Sequence, residues 1–131
     1  MSAKLAKIVA TTKSDRLAKG FLFTEGPLWH PDDYLLFADI RKNVVFKLVP
    51  GNEPEVVRAS SGGTNGMTFD LDGRLVMCEA DNRRMTRMGP NDAITTIAEK
   101  WDGKRLNRPN DVVVSTDGTF YFTNPGGRVK P

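Results

Sequence analysis

The 131-residue chain is predicted to be all-β and built from a repeated antiparallel unit, on three observations. Three ungapped segments line up on one another: EGPLWHPDDYLLFAD from Glu25, NGMTFDLDGRLVMCE from Asn65 and NDVVVSTDGTFYFTN from Asn110, at spacings of 40 and 45 residues. Each carries an acid seven residues after its start, at Asp32, Asp72 and Asp117, just before a run of apolar residues. No stretch sustains a 3.6-residue apolar period, which is the mark of an amphipathic helix.

The elements follow in order. Residues 1–19 read as an N-terminal extension or edge strand, with Lys4 to Lys13 suited to a short helix or a strand. The unit from Glu25 gives a strand, a turn at Asp32-Asp33 and a second strand through Leu35-Leu36-Phe37. Further β-rich stretches follow at Asn43 to Leu48 and Glu55 to Arg58. From Asn65 the pattern repeats, with a turn at Asp72-Gly73, Leu75-Val76-Met77 next, then Arg84 to Met88 and Ala93 to Ala98. From Asn110 come a strand, the turn Asp117-Gly118 and Phe120-Tyr121-Phe122. Asp-Gly supplies the positive φ angles of a two-residue hairpin turn, and Asp32-Asp33 is a weaker form of that signal. Four short strands every 40–45 residues is the period of a β-propeller blade. A β-sandwich also spaces strands at about 8–12 residues, but the common register of the three units favours a propeller with about three blades present. Fourteen residues after each start an oxygen-bearing side chain recurs, at Asp39, Glu79 and Asn124.

Composition narrows the function. One cysteine excludes an internal disulfide, so burial must hold the chain together, and Cys78 in its apolar run reads as a small buried hydrophobe. Hydrophobic residues make up 39% of the chain, and no apolar run approaches the roughly 18 residues of a membrane span. No signal peptide is read, so the expected compartment is the cytoplasm. The net charge of +3 is small, and the densest basic cluster, Asn82 to Arg87, has Glu79 and Asp81 beside it. That cluster reads as a solvated strand face rather than a nucleic-acid surface. The G-x-S-x-G, H-E-x-x-H, P-loop and C-x-x-C motifs are absent, and the one histidine, His30, has no evident serine partner for a triad.

In a propeller, equivalent positions of successive blades face one region around the central channel. Glu25, Asn65 and Asn110 therefore converge, presenting one carboxylate and two carboxamides. Those are oxygen donors, the chemistry of a hard cation such as Ca²⁺ rather than of zinc. Trp29 and Trp101 read as blade-packing or loop residues.

The runs FTEGPLWHPDD, LLFADI, NGMTFDLDGRLVMCEADNRRMTR and WDGKRLNRPNDVVVSTDGTFYFTNP resemble the amino-terminal part of the gluconolactonase/regucalcin (senescence marker protein) family, above all bacterial gluconolactonases. The likeness covers about residues 20–125, and GKRLNRPNDVVV is its most specific piece. It implies a six-bladed propeller with an axial divalent metal, usually calcium, and hydrolysis of a sugar lactone. By the same resemblance Glu25 is a metal ligand, Arg108 and Asn110 contact substrate and line the metal pocket, Asp111 supports the loop, and Asn65 is an axial polar residue with a weaker claim on the metal. Within the family an aspartate from a later blade is the general base, so no catalytic residue is assigned here and the chain alone is expected to be incomplete and inactive. Non-catalytic binding of a metal or partner, a related arylesterase or other lactonase activity, and closure of a ring by two copies of the chain are the alternatives. Neither nucleic acid nor membrane is an expected partner.

Overall fold

The structure is a computed structural model that describes residues 13–126. Two four-stranded antiparallel meanders and a two-stranded hairpin succeed one another along the chain. The first sheet takes β1 (Thr24–His30), β2 (Tyr34–Asp39), β3 (Val44–Leu48) and β4 (Glu55–Ala59), paired in that order. The second takes β5 (Thr64–Phe69), β6 (Leu75–Glu79), β7 (Arg84–Met88) and β8 (Ile94–Ala98), again in sequence order. A short hairpin, β9 (Lys100–Trp101) with β10 (Lys104–Arg105), precedes β11 (Val112–Val114) and β12 (Phe120–Phe122). The chain thus holds two complete propeller blades and the inner hairpin of a third, and all ten strands predicted from the three units are found. The expected edge strand or helix at residues 4–12 lies outside the described residues; residues 13–23 form no strand.

Strand alternation explains the stacking. All five residues of β6 are buried. Leu75 and Met77 point into a core shared with Leu36, Ala38 and Val45 of the first sheet, while Val76 and Cys78 point the other way, onto Met85 and Val112. A period of two thus lets one strand serve two interfaces, each fully buried aliphatic side chain contributing roughly 1.5–3 kcal/mol. Cys78 is fully buried and desolvation pushes its thiol up to about 12. The outward face of the first sheet is only partly covered. There Phe21 meets Phe37 edge-on at 4.9 Å, and Leu17, Phe21, Leu35 and Leu48 border a cavity of 460 Å³. Trp29 remains half-exposed on β1, and Trp101, at 82% exposure, is the last residue of β9, beside the turn of the β9–β10 hairpin.

The turns correct one expectation. Asp72-Gly73 and Asp117-Gly118 do not close two-residue loops: Phe69 pairs with Leu75 and Val114 with Phe120, and Gly73 and Gly118 donate to the carbonyls of Asp70 and Ser115. Each loop is a four-residue turn whose last residue is left-handed, Asp33 (φ 60°), Gly73 (φ 75°) or Gly118 (φ 85°). Only the last position needs positive φ, which is why an aspartate can stand at 33. The aspartates act instead through their oxygens, Asp117 accepting from the Thr119 amide at 2.9 Å. The two-residue turn sits at Asp102-Gly103, where both φ angles are positive and Trp101 pairs with Lys104. This hairpin accounts for the longer second spacing.

Candidate functional site

The first residues of the three inner strands meet. Glu25, Asn65 and Asn110, together with Gly26, Pro27, Gly66, Met67 and Asp111, line one cavity of 290 Å³. Two matched irregularities build it. The β1–β2 register shifts between Glu25 and Leu28, and the β5–β6 register shifts between Thr64 and Met67, so that the irregular pairs Gly26-Pro27 and Asn65-Gly66 overlap at the equivalent glycines. A bulge re-aims the side chain beside it and commonly marks a site. The glycines then allow neighbouring inner strands to touch. Gly26 (φ +56°) leaves no room for a Cβ against the Asn65 carbonyl, and at Gly66 a Cβ would come within 2.7 Å of the Asn110 carbonyl oxygen and 2.6 Å of the Asp111 Cα. The Gly66 amide donates to the Asn110 carbonyl at 2.6 Å. Each unit's second residue is therefore pressed on the next unit's first, and the spacing of the donors follows from backbone contact.

Asp111 lines the cavity and its Oδ1 accepts from the Val112 amide at 2.9 Å, which braces the loop. Arg108 is not among the lining residues. Its guanidinium, on the segment leading into Asn110, donates to Asp81 Oδ1 at 2.7 Å. His30 lies where β1 ends, remote in register from Glu25, stacked on Tyr34 at 4.3 Å with Nδ1 accepting from the Asp32 amide. Among the described residues no three His, Cys, Asp or Glu side chains gather around a common point. The cavity offers two carboxylates and two carboxamides.

The residues fourteen after each start support this end, Asp39 and Glu79 from full burial and Asn124 half-buried. Asp39 is fully buried and accepts from the Leu22, Phe23 and Lys42 amides at 2.7–3.2 Å, tying down the approach to β1. Asn124 Oδ1 does the same for the Asn107 amide at 2.9 Å, ahead of Asn110. Glu79, also fully buried, accepts from Arg58 of the first sheet (2.7 Å), Arg84 (2.7 Å), Asn82 (2.6 Å) and Thr86 (2.7 Å). Burial alone would raise the Glu79 carboxyl, but these four donors outweigh it and hold the group below its ordinary value. The cluster from Asn82 to Arg87 is accordingly no solvated strand face. Met85 and Thr86 are fully buried, Arg84 is committed to Glu79, and Arg87 lies 2.9 Å from the buried Asp70. Of the two flanking acids, Glu79 takes Arg84 from the cluster and Asp81 takes Arg108 from outside it, while Arg83 donates to the Leu106 carbonyl. The regularity at Asp39, Glu79 and Asn124 was visible in the sequence; the reach of Arg58 from another sheet had no local signal.

Known proteins give a consistent picture. Residues 23–131 match the family described as SMP-30/Gluconolactonase/LRE-like region. The gluconolactonase of Zymomonas mobilis subsp. mobilis (strain ATCC 31821 / ZM4 / CP4) is 28% identical over 130 residues, 88% of this chain and 36% of that protein. The solved gluconolactonase of Xanthomonas campestris superposes with a TM-score of 0.76 at 32% identity, over 81% of this chain and 36% of its own. The virginiamycin B lyase of Staphylococcus aureus, at 12% identity and a TM-score of 0.63 over 78% of this chain and 34% of its own, shares the fold. The chain therefore spans little more than a third of the length of these relatives.

Proposed function

The chain belongs to the SMP-30/gluconolactonase family, and from that membership we propose that it supplies part of the site of a metal-dependent sugar-lactone hydrolase. The observation that carries the reading is the convergence of Glu25, Asn65 and Asn110 on one cavity at matched repeat positions. The reaction adds water to the lactone carbonyl carbon and breaks the ring C–O bond. The ring oxygen leaves as a hydroxyl, and an aldonate and a proton result.

The donor set fits a hard divalent cation such as Ca²⁺ in kind. Carboxylate and amide oxygens surround the cavity, and the close-packed glycines keep methyl groups out of it. Glu25 and Asn110 would hold the ion, with Asn65 the weaker candidate, and the remaining oxygens of a six-to-eight coordinate shell would come from water and other groups. A bound cation of this type supplies Lewis-acid polarisation of a carbonyl, worth several kcal/mol. The chain's own residues bind and orient. The Asn110 carboxamide can donate to a ring hydroxyl through its amide and accept through its oxygen, and Arg108, two residues before it, carries a planar fork of donors. No general base is assigned to this chain.

Glu25→Gln tests the reading, since it keeps the shape and removes the charge. Calcium affinity, measured by calorimetry, is expected to fall at least tenfold, and in a complete propeller that carries this segment D-glucono-1,5-lactone hydrolysis, followed by proton release, is expected to fall with it. Unchanged calcium binding in the variant, or a wild-type chain that binds no divalent cation, refutes the metal assignment.

A further inference from the structure

Asp81 belongs to no motif and does not line the cavity, yet it is the acid that holds Arg108. The turn between β6 and β7 that carries it is fixed from every side. Ala80 and Asp81 donate their amides to the Gly63 and Gly62 carbonyls at 3.2 and 3.0 Å, and Asn82 bonds Glu79 at 2.6 Å. The Asp81 side chain lies flat on Gly63, where an added Cβ would meet the carboxyl carbon at 2.6 Å. The segment leading to Asn110 is pinned to the same turn at three points: Arg105 to the Asn82 carbonyl (2.8 Å), Arg83 to the Leu106 carbonyl (2.7 Å) and Arg108 to Asp81 (2.7 Å). After Arg108, Pro109 is fully buried and Asn110 enters the cavity.

We propose that Asp81 is a positioning residue that orients Arg108 and offsets its charge, so that the site accepts a neutral lactone without retaining the anionic aldonate. The inference rests on reading Arg108 as a substrate contact. One of the five N–H donors of the guanidinium is spent on Asp81, which fixes its plane and leaves the others for ligand hydroxyls. The pair is electrically neutral. A neutral polyol therefore meets oriented donors, whereas a carboxylate product gains no net attraction from the pair. Hydrolysis turns the first into the second, so the pair favours release. Both side chains are about half-exposed, at 43% and 57%, so breaking the pair leaves the fold intact.

The test is a pair of NMR titrations of the chain with D-gluconate (anionic) and D-glucitol (neutral), in wild type, Asp81→Asn, Asp81→Glu, Arg108→Ala and the Asp81→Asn/Arg108→Ala double variant. Asp81→Asn is expected to shift the gluconate-to-glucitol affinity ratio toward gluconate by about fivefold, the factor that two unit charges a few ångströms apart exert across water. Asp81→Glu restores the ratio, and Asp81→Asn changes nothing once Arg108 is gone. A scaffold role alone would weaken both ligands together and leave the ratio fixed. If Arg108→Ala weakens binding but Asp81→Asn leaves the ratio unchanged, the positioning role is overturned and the substrate role of Arg108 stands. If Arg108→Ala binds as wild type does, or wild type binds neither ligand, the substrate role falls and this inference with it.

Discussion

Replacing Glu79 is the sharpest test of how this fold is held. The carboxylate is fully buried, has four hydrogen-bond donors within 2.7 Å, and draws Arg58 across from the first sheet, whose side chain is only 11% exposed. In Glu79→Gln the shape survives, but one oxygen becomes an amide nitrogen. Whichever way that amide turns, its N–H groups face donors: Asn82 and Arg84 on one side, Arg58 and Thr86 on the other. The guanidinium of Arg58 is then left in its buried place facing an uncharged side chain. Breaking one partner of a buried ion pair costs about 3–5 kcal/mol, a large share of the roughly 5–15 kcal/mol that holds a domain of this size. The melting temperature should fall by on the order of 10 °C, measured by far-ultraviolet circular dichroism, with urea unfolding giving the free energy. The Arg58→Met/Glu79→Met double variant should recover part of the loss, because it removes charge on both sides of the pair. A loss below about 1 kcal/mol for Glu79→Gln would match an exposed ion pair and would refute the claim that this network is sealed from water.

Two further outcomes follow from the same geometry. Gly66→Ala should destabilise by about 2 kcal/mol or more, since its Cβ has backbone of Asn110 and Asp111 within 2.7 Å. Gly73→Ala has positive φ but nothing within 4 Å and should cost only about 1 kcal/mol; equal losses in urea unfolding would show that the inner strands are not in backbone contact. As for pH, burial by itself would raise the carboxyls of Asp39, Asp70 and Glu79. Their hydrogen bonds override it and hold each below its ordinary value of 3.8, 3.8 or 4.5. Groups depressed in the folded state contribute stability that is complete above those ordinary values and is lost as pH falls through the lower folded ones. The urea midpoint should therefore be flat from about pH 7 to 5 and drop steeply below about 4.5, with a shallower drop in Glu79→Gln; a midpoint that rises on acidification would contradict the assignment.

The fold was legible because a propeller blade is a local object. Apolar pairs such as Leu75-Val76 and a turn acid with a residue tolerating positive φ lie within one 15-residue segment, and three segments repeated the signal. The turn length is ambiguous in the sequence for a definable reason. Asp-Gly suits both a two-residue loop with two positive φ angles and a longer one with only the last, and the sequence does not say whether Asp70 or Leu71 closes the strand. The converging ends of the inner strands were also legible, since equivalence in the repeat implies equivalence in space. What was not legible joins different units: the Arg58–Glu79 bridge spans 21 residues and the Arg108–Asp81 bridge 27. Their partners are surface-type residues whose sequence neighbourhood would serve equally well in solvent.

The second position of each unit ties fold to chemistry. At Gly26 and Gly66 the missing Cβ lets the next inner strand close against the cavity wall, and the Gly66–Asn110 hydrogen bond locks that approach at 2.6 Å. The third unit carries Asp111 at this place. The same substitution puts a second carboxylate at the cavity, with Asp111 Oδ1 lying against Gly66. An acid at the first position of unit one and another at the second position of unit three thus share the cavity with two carboxamides. A repeat that began as a packing rule thereby becomes a site whose donors are all oxygens of carboxylates and amides.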